Sequence, residues 1–202
     1  MITLALSQML FFVFLQSPFT GGEDGLQDVP RGMLFGVIDL TNDLSLYYFV
    51  WAAFLASLAF IYRVIHSPFG HALQAVREHE SRAISIGYDA ARIKLIAFVI
   101  SASLTGLAGA LKVLVMRFAT LTDAHWHASG EVVLMTLLGG LGTVAGPLVG
   151  SSIIVTLQNE LADKVGSWVT VIMGALFVVC VLLFRRGIVG ELQQLRHRLG
   201  MN

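Results

Sequence analysis

Hydrophobic residues in this chain come in long uninterrupted blocks separated by short polar segments. Leu44 to Tyr62 runs 19 residues without a charge, Gly166 to Phe184 runs another 19, and Leu95 to Met116 runs 22 with Lys112 as the one interruption. At about 1.5 Å per residue, each block predicts a helix able to cross a hydrocarbon core of roughly 30 Å. Met1 to Gln16 is also apolar and uncharged. It lacks the basic start and small-residue cleavage site of a signal peptide, so it predicts a further helix.

Two segments break this pattern. Ser67 to Lys94 is polar, charged and helix-permissive, and it sits between two of the long blocks. Within it, Leu73, Val76, Ala83 and Ile84 recur at roughly helical spacing among Arg77, Glu78, His79, Glu80 and Arg82, which predicts a short amphipathic helix over His71 to Ile86. Ser67 and Pro68 stop the preceding helix, Gly70 supplies a turn, and Gly87 ends the amphipathic helix as a C-terminal glycine. The bland reading of the insert is a solvated connector.

The second segment is Ser129 to Asn159, where the apolar arms Val132 to Leu138 and Leu148 to Leu157 flank GGLGTVAGP, Gly139 to Pro147. Each arm can be stretched to about 13 residues, near 20 Å, which does not allow two full crossings. The prediction is a pair of half-helices meeting inside the membrane, since broken backbone at that depth needs protein or a water-filled cavity around it. A single Pro-kinked helix is the alternative.

Composition fixes the class. Hydrophobic residues make up 56% of the chain, charged residues 13%, and the mean hydropathy is +0.78, as expected of an integral membrane protein. The fold class is therefore all-α: a polytopic bundle of about four full spans, a Gly/Pro-broken re-entrant pair and the amphipathic insert. The lone Cys180 lies within the last block and reads as a packing residue.

The distribution of positive charge sets the orientation. Five of the thirteen Lys and Arg lie between Arg63 and Lys94, and Arg185, Arg186, Arg196 and Arg198 lie in the tail, whereas Ser17 to Asp43 carries five acidic residues and only Arg31. The insert and the tail are expected in the cytoplasm. Tyr47, Tyr48, Trp51 and Trp168 suit an outer aromatic belt. With that orientation Ser129 to Asn159 must return to the side it came from, which favours the re-entrant pair over the kinked helix.

Small residues suggest where helices meet. Ala102, Gly106 and Ala110 form one small-xxx-small row, and Gly142, Gly146 and Gly150 form another through the break. Gly140, Gly142 and Ala145 match a dinucleotide fingerprint only in passing, without the strand, helix and acidic partner that the fingerprint needs.

Several separated stretches, in order, carry a family resemblance: SPFGHALQAVREHESRAISIGYDAARIKLIAFVISASLTGLAGAL, then GEVVLMTLLGGLGTVAGPLVG, then LLFRRGIVGEL, with TGGEDGL at Thr20 to Leu26. Together they resemble the permease subunits of bacterial ABC importers for branched-chain amino acids, closest to the M-type permease and extending to related urea and short-chain amide permeases. The resemblance covers nearly the whole chain. It implies one transmembrane permease domain over 1–202, with 67–92 as the segment coupled to the ATPase, 129–160 as the broken pair and 185–202 as a cytoplasmic tail. It also implies a bacterial inner-membrane, multi-pass location and transport by alternating access.

The implied partners are a second permease subunit, two ATP-binding subunits, an external solute-binding protein and membrane lipid. No nucleic acid and no cofactor are expected. Arg77, Glu78, Glu80, Ala83 and Gly87 are the implied coupling residues, while Gly106, Gly109, Gly139, Gly140, Gly142, Gly146 and Pro147 are expected to form the packing seams and the break. The general importer pattern places Glu-Ala-Ala ahead of its glycine. Here Ser81, Arg82 and Ala83 precede Gly87, so only Ala83 and Gly87 match directly and Glu80 is displaced by one. Family members carry more helices at the N-terminus, so the resemblance implies an N-terminally truncated permease, or a non-transporting scaffold as an alternative.

Other chemistry is sparse. His125, Trp126 and His127 lack a third metal ligand and read as an interfacial loop. There is no GxxxxGK[ST] loop, no buried nucleophile–base pair and no metal cluster, so the chain reads as a transporter subunit whose ATP hydrolysis occurs on a partner. Lys112, Arg117 and Glu131 lie at outer helix ends, where snorkelling explains them. One of them facing a cavity could meet a zwitterionic substrate.

Overall fold

The structure is a computed structural model that describes residues 2–34, 38–140, 142–165 and 174 of the 202. The predicted last span Gly166–Phe184, with Trp168 and Cys180, and the Arg-rich tail 185–202 lie outside the described residues, apart from Gly174.

The helical membrane fold expected from the hydrophobic blocks is the one the chain has. The helices are α1 (Ile2–Gln16), α2 (Asp43–Ile65), α3 (Pro68–Glu78), α4 (Glu80–Ser85), α5 (Ala90–Met116), α6 (Trp126–Gly139) and α7 (Gly146–Val165). One departure is a minimal antiparallel hairpin, β1 (Met33–Leu34) with β2 (Ile38–Asp39), in the loop before α2. Among the described residues α2 and α5 are long and apolar enough to cross a membrane, and α1 is a shorter apolar helix.

Local caps explain where the helices begin. The Asn42 side chain accepts from the Leu44 amide at 3.2 Å and opens α2; the Asp89 carboxylate accepts from the Arg92 amide at 3.2 Å and opens α5. Each satisfies one of the orphan donors of a first turn.

The chain forms two compact units. In the unit of residues 15–121, Arg31 closes the far end of α5. Its side chain is only 9% exposed, and its guanidinium donates to the Leu114 carbonyl at 2.9 Å, the Val115 carbonyl at 2.8 Å and the Asp43 carboxylate at 2.7 Å. One planar fork therefore satisfies two terminal carbonyls of α5 and grips the first residue of α2. At the opposite end of α5, Val76, Ala83 and Ala90 are buried in one cluster, with Ile93 packed on it.

In the unit of residues 1–14 and 122–202, α6 and α7 pack as a hairpin around the turn 140–145. Buried Leu138, Gly139, Gly140, Gly146, Gly150 and Ile154 form its seam. The His125 ring nitrogen accepts from the His127 amide at 3.3 Å to cap α6, and the same ring meets Phe11 edge-on at 5.2 Å.

The arms of this pair exceed the lengths expected from sequence. α6 has 14 residues, about 21 Å, and α7 has 20, about 30 Å. α7 lengthens because Gln158, Asn159 and Glu160 extend the helix past its apolar arm with no Gly or Pro to stop it. α6 stays short of a crossing.

Candidate functional site: a kinked polar insert and a glycine hairpin

The insert is not the single helix expected over His71 to Ile86. It is two helices, α3 and α4, divided at His79, whose backbone is extended at φ −150° and ψ 91°. The His79 amide still donates to the Ala75 carbonyl and its own carbonyl accepts from the Ala83 amide, both at 3.0 Å. The chain thus turns at one residue without stranding the neighbouring backbone groups. In an unbroken helix Val76 and Ala83 would sit two turns apart, about 10 Å along the axis. The kink lets both pack with Ala90 of α5.

Gly70 also differs from expectation. It lies in the first turn of α3 rather than in a loop, with Pro68 at the first helical position and the Ser67 hydroxyl accepting from the Gly70 amide at 3.3 Å. Glycine is required there by proximity, because a methyl group would collide with the carbonyl of Ile65 and come within 2.7 Å of that of Val64.

The other end of the insert follows the pattern read from the sequence. Gly87 has φ +97°, its amide donates to the Ile84 carbonyl at 2.9 Å, and the Tyr88 amide donates to the Ala83 carbonyl at 3.1 Å. This pair of bonds is a Schellman cap, which needs a left-handed residue at the glycine position. Asp89 then starts α5 two residues later.

The implied coupling residues fall into different environments. Arg77 and Glu78 are exposed at the end of α3. Glu80 is exposed in the first turn of α4, where acid complements the helix dipole, and its carboxylate pairs with Lys94 Nζ of α5 at 2.5 Å. Both partners are about half exposed, so the pair contributes at most about 1 kcal/mol. Ala83 is 2% exposed. It is a packing residue of the hub, and any effect on a partner passes through the helices it holds.

Sequence reasoning missed the Glu80–Lys94 pair, which spans two helices, and it missed the apolar surface around the cap. Ile84, Ile86 and Tyr88 are 55%, 71% and 46% exposed, and Arg77, Glu78 and Arg82 of the same insert are exposed too. Periodicity placed Ile84 with the buried stripe, but the kink at His79 rotates α4 so that Ala83 faces the hub and Ile84 does not.

The glycine predictions divide in the same way. A methyl at Gly139 would strike the Gly146 carbonyl, one at Gly146 the Gly140 carbonyl, and one at Gly150 the Met135 carbonyl. These glycines sit where α6 and α7 backbones touch, and the Thr143 hydroxyl accepts from the Gly146 amide at 3.0 Å within the turn. Gly140 caps α6 at φ +117°. Pro147 occupies the first turn of α7. Gly142 has nothing within 4 Å, so the expected row of Gly142, Gly146 and Gly150 is corrected to Gly139, Gly146 and Gly150. Gly106 and Gly109 on α5 also have nothing within 4 Å, and no seam forms there among the described residues.

Comparison with known proteins follows the same outline. The family model described as branched-chain amino acid transport system / permease component matches residues 1–181. The chain is 27% identical over 210 residues to the high-affinity branched-chain amino acid transport system permease protein LivM of Escherichia coli (strain K12), covering 93% of this chain and 49% of LivM. To LivH of the same organism it is 26% identical over 192 residues, 89% of this chain and 61% of LivH. It is also 31% identical over 127 residues to the ribose import permease protein RbsC of Bacillus subtilis (strain 168), 59% of this chain and 39% of RbsC. The chain thus spans about half to three-fifths the length of the branched-chain amino acid permeases it matches. No solved structure matches it.

Proposed function

We propose, from the premise that this chain belongs to the branched-chain amino acid transport system permease family, that it is the membrane-embedded part of an ABC importer moving aliphatic amino acids. Its place is the bacterial inner membrane, as a multi-pass subunit. Residues 67–92 couple it to ATP-binding subunits in the cytoplasm, where hydrolysis takes place. A second permease subunit completes the translocation path, and an external solute-binding protein delivers cargo.

The observation that carries this reading is the hub of Val76, Ala83 and Ala90. It joins the exposed helices α3 and α4 to the base of α5, a helix of 27 residues and about 40 Å. A push on α3 and α4 is then passed to α5 through close-packed side chains and the Glu80–Lys94 pair rather than absorbed by a flexible loop. Ile84, Ile86 and Tyr88 give a partner an exposed apolar contact. The α6–α7 hairpin, with its seam closed by glycine, serves as a broken helix pair beside the path.

The test is uptake by vesicles carrying this chain with its permease and ATPase partners. Labelled leucine, ribose and urea would be supplied in parallel with ATP inside. ATP-dependent leucine uptake exceeding that of ribose and urea supports the reading. Ribose or urea accumulation without leucine overturns the cargo, and the absence of ATPase co-purification overturns the coupling.

A further inference from the structure

The loop after α1 and the end of α5 build a feature that the coupling segment does not use. Leu26 and Ala119 exchange backbone hydrogen bonds at 3.0 and 2.8 Å, and the Val29 amide donates to the Arg117 carbonyl at 2.8 Å. The stitched segments leave an open cavity of about 650 Å³ at the end of α5 away from the hub. Asp24, Gln27, Asp28, Met116, Arg117 and Phe118 line it.

Two independent properties mark this cavity. Among the described residues, Asp28 at φ 56° and Arg117 at φ 62° are the non-glycine residues with left-handed backbone, and both line it. Such a backbone is disfavoured for Arg and better tolerated by Asp, and it persists where the surroundings fix it. Arg117 is also the C-terminal cap of α5, a position at which helices commonly use glycine. Here the position carries a guanidinium.

The second property is charge. The lining presents two carboxylates and one guanidinium beside the Met116 thioether and the Phe118 ring. Among the described residues none of these three charged groups belongs to an ion pair. They are exposed and available to a ligand.

We propose that this cavity is a receptor site for a free zwitterionic α-amino acid with an aliphatic side chain. Arg117 takes the carboxylate through its planar fork, Asp24 and Asp28 take the ammonium, and Met116 and Phe118 receive the alkyl group. The choice of an amino acid rests on the permease reading above, and the site goes beyond it by assigning residues. A ligand with one charge of each sign fits a lining with both signs, whereas an uncharged sugar or urea leaves all three groups without an ionic partner.

The experiment is equilibrium binding of radiolabelled L-leucine to the full chain in lipid nanodiscs. Competitors are isovalerate, which lacks the ammonium, isopentylamine, which lacks the carboxylate, ribose and urea. Each is expected to compete at least tenfold more weakly than unlabelled leucine. Arg117→Gly should raise Kd at least tenfold while the thermal unfolding midpoint holds or rises, because glycine suits the left-handed cap. Asp28→Asn should raise Kd severalfold with its backbone retained, since Asn tolerates that region.

Leucine binding unchanged in both variants overturns the site. So does a loss of binding that tracks a loss of unfolding midpoint in both, because the residues then act on the fold. Variants that bind free leucine like the parent but lose stimulation by an external solute-binding protein assign the cavity to protein docking and also overturn it. Leucine uptake by the assembled importer that both variants leave intact sinks the cavity alone. A parent chain that binds ribose or urea in place of leucine sinks the cargo reading with it.

Discussion

Replacing Gly87 isolates the backbone of the proposed lever from its packing. A methyl at Gly87 meets nothing within 4 Å, so the first carbon of a side chain there is penalised through backbone conformation and not by collision. At φ +97° that penalty is roughly 1–2 kcal/mol for an ordinary L-residue, more for a β-branched one and less for Asn. The strain falls on the Schellman cap, whose Tyr88–Ala83 bond at 3.1 Å ties the cap to the buried hub. A destabilisation of 1–2 kcal/mol raises the open fraction of the cap about 5- to 30-fold. Hydrogen exchange at the Tyr88 amide, measured in nanodiscs, should accelerate by that factor in Gly87→Val and by less in Gly87→Asn. Membrane levels should stay near those of the parent, because the long apolar helices insert without this contact. In the assembled importer, hydrolysis coupled to leucine uptake should fall in the same order, Val below Asn below Gly. Exchange at Tyr88 in the valine variant equal to the parent would show that the cap tolerates L-residues, and the reasoning from φ would fail. Altered exchange with unchanged coupling would reduce the insert to a connector.

Three further outcomes follow from the geometry. Gly150→Ala should lower the stability of the chain in detergent by about 1–3 kcal/mol, because its methyl strikes the Met135 carbonyl, while Gly142→Ala should change it by no more than about 0.5 kcal/mol; equal thermal shifts would refute the seam. Arg31→Gln should destabilise by about 1.5–3 kcal/mol with no rescue by Lys, since an ammonium cannot serve Leu114, Val115 and Asp43 in one plane, whereas Asp43→Asn, at a carboxylate 90% exposed, should cost under about 1 kcal/mol in denaturant titration. Asp39 accepts from the Thr41 hydroxyl and amide at 2.5 and 3.0 Å, which holds its carboxyl below the ordinary aspartate value, so the turn should keep its protection at neutral pH and lose it only as pH falls through that lowered value; carboxyl NMR should show the depression, and Thr41→Ala should remove most of it.

Much of this architecture was legible in the sequence because its causes are local. Charge-free blocks fixed α2 and α5, and a glycine at the end of an amphipathic stretch fixed the cap at Gly87. The parts that escaped depend on residues distant in the chain. Nothing near Arg31 indicates that it grips carbonyls 83 and 84 positions away. The break at His79 was hidden because Glu78, His79 and Glu80 all permit helix, and the kink is favoured only once Ala90 supplies a surface for both Val76 and Ala83. The reach of α7 was underestimated because apolar residues were taken to bound the helix, whereas polar Gln158, Asn159 and Glu160 remain helical.

The glycine rows show how one pattern acquires two meanings. Gly139, Gly146 and Gly150 and the α5 pair Gly106 and Gly109 all offer helix faces without side-chain bulk. The first set is used because α6 and α7 are joined by the short turn 140–145, so bringing their backbones together closes a small loop at little entropic cost. At the α5 pair nothing among the described residues lies within 4 Å of an added methyl, and the chain leaves α5 through the Arg117 cap and the bridge to Leu26. Large apolar side chains elsewhere on α5, Leu95, Ile96, Phe98, Val99 and Leu107, are exposed as well. A membrane helix in this condition is stable in lipid, but a smooth glycine face gains little from lipid tails and much from another helix. Under the proposed function, the second permease subunit or further helices of a longer permease would supply it. The spacing of small residues thus specifies a capacity for close approach, and chain connectivity decides whether the same chain fulfils it.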